Sequence, residues 1–309
     1  MGKIDIGVSG RCPGFPSSSI SWDFVGFPGF PEFPIKWFQV GVPKRVECFF
    51  CGRYDTRGLE HVFADTWLRE FQAGQERIVI DRHEFGTDTL ENTRTHTFDS
   101  FLCGDVCEKC NSGWMRSLED TVKPWIRGIT SKADLSALQD PIRQMPFSRW
   151  ALKTACVIDR LGGLSQIPAD IPRQLTESRG LPSNVHVLIG WHPSEYRSLF
   201  SLNQRSTWIT YPLEPAVEVP ALPGEGWFKV AFSIEQLMVL VVGVPSRDLQ
   251  LVIGTGIHVP IWPETKIDLH HWYYSMRLEG LNPSEALQKF SDLLALSRDG
   301  RLANRPASR

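Results

Sequence analysis

Apolar residues recur at steps of three and four from Asn111 onward, at Met115, Leu118, Val122, Trp125, Ile126 and Ile129. That spacing predicts an amphipathic helix with one buried stripe. Pro124 lacks an amide hydrogen and is expected to kink or restart it. A second helical stretch covers Ser148 to Leu161, and Gly162-Gly163 is a good carboxy-terminal stop for it. The pattern then changes. Val185–Gly190, Thr207–Tyr211, Trp227–Phe232, Leu237–Val242 and Leu249–His258 are rich in β-branched and aromatic residues, with Pro and Gly between them. They read as strands of a mostly antiparallel sheet. Pro283–Ser297 reads as a closing amphipathic helix with Pro283 in its first turn.

Polar and proline-rich stretches divide the chain. Residues 1–43 are dense in Gly, Pro, Ser and Phe, as in Val25-Gly26-Phe27-Pro28-Gly29-Phe30-Pro31, which predicts an irregular, extended arm. Residues 44–130 hold the cysteine motifs described below, interrupted from about Arg69 to Thr97 by a polar insert whose His83 and His96 are expected to be solvated. A polar connector follows from about Ser131 to Pro146. Residues 131–297 are expected to form an α+β domain, and 298–309 a basic tail in which four arginines face only Asp299. The whole is therefore an α+β protein.

A length of 309 residues suits about two domains with an ample core. The net charge of −2 excludes a uniformly basic nucleic-acid coat protein. Its longest apolar run, Leu237–Val244, is closed by Pro245 and falls short of the roughly 20 residues of a membrane helix. Met1–Ile6 contains neither an apolar signal core nor a myristoylation pattern, so a soluble cytoplasmic protein with no membrane partner is expected.

Seven cysteines, an odd number in such a chain, argue against a disulfide framework. Four of them form two Cys-x-x-Cys knuckles, Cys48/Cys51 and Cys107/Cys110, which together can supply the four thiolates of a tetrahedral Zn²⁺ site. The 55 residues between the knuckles are tolerable because loop-closure cost grows only logarithmically with length. Cys103 is an alternative to Cys107; the Cys107-Glu108-Lys109-Cys110 turn is preferred because it repeats the first knuckle's spacing.

Glu60-His61 lies nine residues beyond Cys51, and Asn111 directly follows Cys110. A metal that joins the knuckles can bring these residues together. Asn111 lies on the inward stripe of its helix, four residues before Met115. A carboxylate and an amide oxygen there suit a hard cation such as Mg²⁺ or Mn²⁺, and a neutral histidine beside them can take a proton from an attacking water.

In this order of motifs the chain resembles the His-Asn-His (HNH) nucleases of ββα-metal fold that carry a four-cysteine zinc knuckle. The Cys-x-x-Cys-Asn-x-Gly-Trp-Met-x-x-Leu-Glu stretch at Cys107–Glu119 is also similar to a subgroup of uncharacterised bacterial proteins with this nuclease signature. The resemblance covers Cys48 to Lys123. It implies an endonuclease that hydrolyses DNA, with RNA left open, in which His61 is the general base, Glu60 and Asn111 hold a catalytic Mg²⁺ or Mn²⁺, and the four cysteines hold a structural zinc. By analogy it also implies a role in bacterial defence, with a protein partner or second copy left open.

The chain departs from that pattern at three places. Glu60 stands where an Asp is usual. No Asn lies in the window Asp99–Cys103 before the second knuckle, so either Asp99 or Ser100 braces that loop or the brace is absent. Trp114 stands where relatives often carry a basic residue. From Lys44 to Arg127 there are 12 Lys and Arg against 15 Asp and Glu, a net −3, without the basic surplus that tight nonspecific DNA binding rests on. The alternative reading is therefore a zinc-stabilised binding module without catalysis. Asn111 reads equally as a helix N-cap. Glu119 and Asp120 lie where they can approach the site but read first as solvated or surface-paired, Trp114 and Met115 read as core, and His270-His271 as structural.

Overall fold

A computed structural model of the chain describes residues 44–70, 74–75, 77–83, 90–132, 135–163, 166–177, 180–192, 200–205, 209–211, 228–244, 250–253, 258–262, 286–287, 290–291 and 294–297. The amino-terminal arm, the basic tail and His270-His271 lie outside the described residues.

Strand β1 (Arg45–Glu47) pairs antiparallel with β2 (Tyr54–His61), Arg45 opposite Thr56. Helix α1 (Asp65–Glu70) follows and buries Trp67 and Leu68. The stretch read as a polar insert contains an antiparallel hairpin, β3 (Arg77–His83) with β4 (Leu90–Thr97). Strand β5 (Leu102–Cys107) returns to the first sheet and completes the order β1-β2-β5.

A widened helical turn over Cys110–Met115 leads into helix α2 (Arg116–Lys132). Met115, Val122, Ile126 and Ile129 are buried, and Leu118 and Trp125 pack against the same core, as the apolar stripe predicts. Helix α2 continues through Pro124 without a restart. Pro124 and Asp120 are both exposed, so water can take the carbonyl that the proline leaves without a donor. The irregularity falls earlier, at Gly113, where φ −92° and ψ −109° leave helical space.

The polar connector is itself helical. Short helix α3 (Ser136–Gln139) precedes α4 (Pro141–Gly162), which begins well before Ser148. The Asp140 side chain caps it by accepting from the Ile142 amide at 3.0 Å. Pro141 sits in the first turn, where no amide hydrogen is needed. At the other end Gly163, at φ +71°, takes the left-handed cap that the Gly pair predicts. From Trp150 to Asp159 every residue of α4 is buried, so it is a central helix rather than a surface one. Helix α5 (Asp170–Glu177) packs on it.

The remaining strands are β6 (Val185–Trp191), β7 (Phe200–Arg205), β8 (Ile209–Tyr211), β9 (Phe228–Ile234), β10 (Leu237–Gly243), β11 (Gln250–Ile253), β12 (Val259–Trp262) and β13 (Leu294–Ser297). An antiparallel five-stranded sheet has the order β12-β6-β10-β9-β7, and a second sheet the order β11-β13-β8, with β13 and β8 parallel. Strands β7 and β12 are not marked by the sequence pattern. The end of the expected closing helix is instead β13, because Leu-Ala-Leu-Ser alternates with period two as readily as it fits a helical face. The architecture is mixed helix and antiparallel sheet.

A chain of aromatic contacts joins the layers. Trp67 on α1 meets Trp150 on α4 at 5.3 Å between ring centroids, and Trp150 meets Phe232 on β9 edge-on at 5.6 Å. One buried cluster thus contains residues from both sides of position 130.

Candidate metal centre

Cys48 and Cys51 lie in the turn between β1 and β2. The Gly52 amide donates to the Cys48 carbonyl at 2.7 Å, and Gly52 itself adopts φ +68°, a conformation that favours glycine. The Phe49 amide donates to the Asp105 carbonyl at 2.8 Å, which fastens this turn to β5. Cys107 ends β5 and Cys110 begins the widened turn.

The four Sγ atoms all lie within 4.8 Å of one another. Sulfurs bound tetrahedrally at about 2.3 Å would stand about 3.8 Å apart; Cys51 Sγ and Cys107 Sγ are 3.8 Å apart. Cys48, Cys107 and Cys110 are buried and Cys51 partly so. A hydrogen bond from the Cys110 thiol holds Cys48 below the ordinary thiol range despite its burial, and the same bond pushes Cys110 up. The cluster has the ligand type, number and spacing to hold a metal ion such as zinc.

Cys103 is not one of the four. It pairs with Glu60 across the β2–β5 ladder, and burial pushes its thiol up to about 11. The preference for Cys107 is met. Phe50 packs edge-on against Trp114 at 5.6 Å beside the knuckles, and Trp114 and Met115 join the core as expected.

Asn111 is brought to the end of β2. Its Nδ2 donates to the Leu59 carbonyl at 2.9 Å across 52 residues of sequence, which sets the helix entry beside Glu60 and His61. A Cβ on Gly58 would lie 3.3 Å from both Asn111 Cβ and Nδ2, so the glycine permits this approach. The ladder is irregular between Gly58 and Glu60, where Gly104 and Asp105 form the longer side, and Arg57 Nε donates to the Gly104 carbonyl at 2.9 Å.

Glu60 and His61 take different environments. His61 is half-buried, and its Nδ1 is buried without a hydrogen-bond partner among the described residues. Glu60 turns inward, 3% exposed, where its Oε1 accepts from Lys153 Nζ at 2.6 Å. The same ammonium donates to Glu119 Oε1, also at 2.6 Å. Glu119 is therefore buried and paired, not solvated, because its side of the first turn of α2 faces α4 rather than water. Burial pushes Glu119 up, and Lys153 offsets only part of that shift. At Lys153 burial opposes the ammonium, and the two carboxylates outweigh it and hold the group above its usual range.

Lys153 is the site-forming residue that the sequence pattern passes over. Its signal is a lysine on the inward stripe that also carries Trp150 and Val157.

The other candidates fall outside this centre. His96 is half-buried and packs on the Phe101 ring at 5.6 Å rather than standing in solvent. Asp99 and Ser100 do brace the turn before β5. Gln75 Nε2 donates to Asp99 Oδ2 at 2.8 Å, and Ser100 Oγ accepts from the Thr97 amide at 2.9 Å.

The Asn111 amide nitrogen donates to Leu59, so Oδ1 is the atom that could serve as a ligand, and in Glu60 that atom is Oε2, since Lys153 holds Oε1. In chemistry this pair fits a hard cation that takes few protein ligands. No described helix is long and apolar enough to cross a membrane. No family model, curated protein or solved structure matches the chain.

Proposed function

We propose that this chain is a metal-dependent endonuclease of the HNH kind that hydrolyses phosphodiester bonds in DNA. The observation that carries the reading is the Asn111–Leu59 hydrogen bond, made directly after a four-cysteine cluster and directly before Glu60-His61. Strands β2 and β5 with the helix entry then correspond to the ββα unit, and Cys48, Cys51, Cys107 and Cys110 hold a structural zinc that takes no part in the reaction. Thiolate ligation needs reduced cysteines, so a cytoplasmic setting belongs to the same reading.

Glu60 and Asn111 are the residues that would hold a Mg²⁺ or Mn²⁺. Such an ion, when bound, supplies charge neutralisation at the scissile phosphate and its leaving oxygen. His61 accepts the proton of the attacking water at a ring nitrogen. The Asn111 amide, clamped to β2, keeps its oxygen oriented with little freedom to lose on binding.

A second reading, a zinc-stabilised binding module without catalysis, is favoured by one observation: the Glu60 carboxylate is already engaged by Lys153. Cleavage of plasmid and single-stranded DNA with Mg²⁺ or Mn²⁺ separates the two. The nuclease reading expects cleavage by the zinc-loaded chain and its loss in a folded, zinc-retaining His61→Ala variant. Equal cleavage by both points to contamination or a misplaced site, and none by either favours the binding module.

A further inference from the structure

We propose that Lys153 is the positioning residue of this site, reaching from α4 to hold the Glu60 carboxylate in the orientation that a divalent cation requires. The inference rests on the nuclease reading and names a residue outside the stretch from Cys48 to Lys123 that resembles the nucleases.

The geometry is specific. Lys153 Nζ is 2.6 Å from one oxygen of Glu60 and 2.6 Å from one oxygen of Glu119, and its side chain has no solvent exposure. Glu60 comes from strand β2, Glu119 from α2 and Lys153 from α4, so three elements meet at one ammonium. Two of its three hydrogens are committed, one to each carboxylate. Glu119 thereby fixes the direction of the lysine, and the lysine fixes Glu60.

A stability role alone accounts poorly for this arrangement. A buried ion pair is often no better than a well-packed apolar group of the same volume, and here Lys153 lies between Leu152 and Thr154 in a fully buried stretch of α4. A methionine would fill such a place. What the lysine adds is direction. A glutamate loses much rotamer freedom when it binds a cation, and a carboxylate already held on one oxygen presents the other with part of that freedom already spent. Outer partners of this kind commonly change metal affinity by about 10-fold to 100-fold when removed.

The test is Mn²⁺ binding by titration calorimetry to the full, zinc-loaded chain, with zinc content and circular dichroism as checks on folding. Lys153→Met is expected to weaken Mn²⁺ binding about tenfold or more while zinc is retained. Glu119→Gln keeps an acceptor for the ammonium but loses its charge, and is expected to weaken Mn²⁺ binding less than Lys153→Met does. If Lys153→Met alone does not fold, the Lys153→Met, Glu119→Leu double variant removes the excess buried charge and is read in its place. In DNA cleavage the loss is expected in the Mn²⁺ concentration needed for half-activity, with the rate at saturating Mn²⁺ largely kept. Unchanged or tighter Mn²⁺ binding in a folded Lys153 variant overturns the positioning role and leaves the nuclease reading standing. A parent chain that neither binds Mn²⁺ beyond its zinc nor cleaves DNA overturns both.

Discussion

The Asn111 side chain donates to the main-chain carbonyl of Leu59 at 2.9 Å, which ties the first residue after the second knuckle to the strand that ends in Glu60-His61. The contact serves folding and the proposed chemistry together, so the two can be pulled apart by substitution. Asn111→Ala removes one exposed hydrogen bond and is expected to cost about 0.5–1 kcal/mol in urea unfolding. Asn111→Asp sets an oxygen against the Leu59 carbonyl and should cost more, although it keeps a ligand oxygen. Under the nuclease reading the alanine variant loses cleavage far beyond what its small loss of stability explains.

Gly58 and Gly104 make a contrasting pair. A Cβ at Gly58 would press at 3.3 Å on Asn111 and on the Cys107 backbone, which the knuckle holds in place. At Gly104 the atoms nearest an added Cβ all belong to the guanidinium of Arg57, the far end of a flexible side chain, which must move aside. Alanine normally gains about 0.5–1 kcal/mol over glycine in a strand. Gly104→Ala is therefore expected to be near neutral, whereas Gly58→Ala should be destabilising by about 1 kcal/mol through overpacking. Thermal melts of the two variants, run with zinc content, check the difference.

The parts of this architecture that are legible in the sequence are those with a local signal. Two Cys-x-x-Cys turns announce a four-thiolate cluster whatever lies between them. The stripe from Met115 to Ile129 announces a helix because its period is long enough to exclude a strand. Local signals fail where two conformations share a pattern, as at Leu294–Ser297, or where proline is read as a breaker although the first turn of a helix accepts it, as at Pro141. They fail altogether for pairings across the fold. Glu119 looks like any surface glutamate until Lys153, 34 residues away, is brought against it in the core. The burial of Glu60 is invisible for the same reason, since its partner lies 93 residues away.

The cysteines give a prediction with an internal control. A structural zinc contributes on the order of 10 kcal/mol of binding free energy in peptide sites, comparable to the whole stability of a domain. Cys107→Ser, or strong chelation of the parent chain, is expected to abolish metal binding and unfold the first sheet. Cys103→Ala should retain the metal and cost only about 1 kcal/mol, because it is a small buried thiol outside the cluster. Metal analysis with circular dichroism distinguishes the two. Equal metal loss in both variants would mean that Cys103 is a ligand.

His258 makes stability depend on pH in a definite direction. It is buried, its Nε2 donates to the Phe290 carbonyl at 2.7 Å, and burial pushes its pKa down to about 4, with the hydrogen bond opposing part of the shift. The folded protein therefore refuses a proton that the unfolded chain accepts near 6.5. Above that value both states are neutral and the group adds no pH dependence. As the pH falls from 6.5 towards about 4, the unfolded state gains protons alone and stability declines. At roughly 1.4 kcal/mol per unit the full decline is about 3 kcal/mol, levelling off once the folded state also protonates. His186, lowered by burial as well, acts with the same sign. Urea titrations across this window should show a steeper loss in the parent than in His258→Gln, which keeps a donor for Phe290 and has nothing to protonate. Parallel pH profiles in the two proteins would remove His258 from the account.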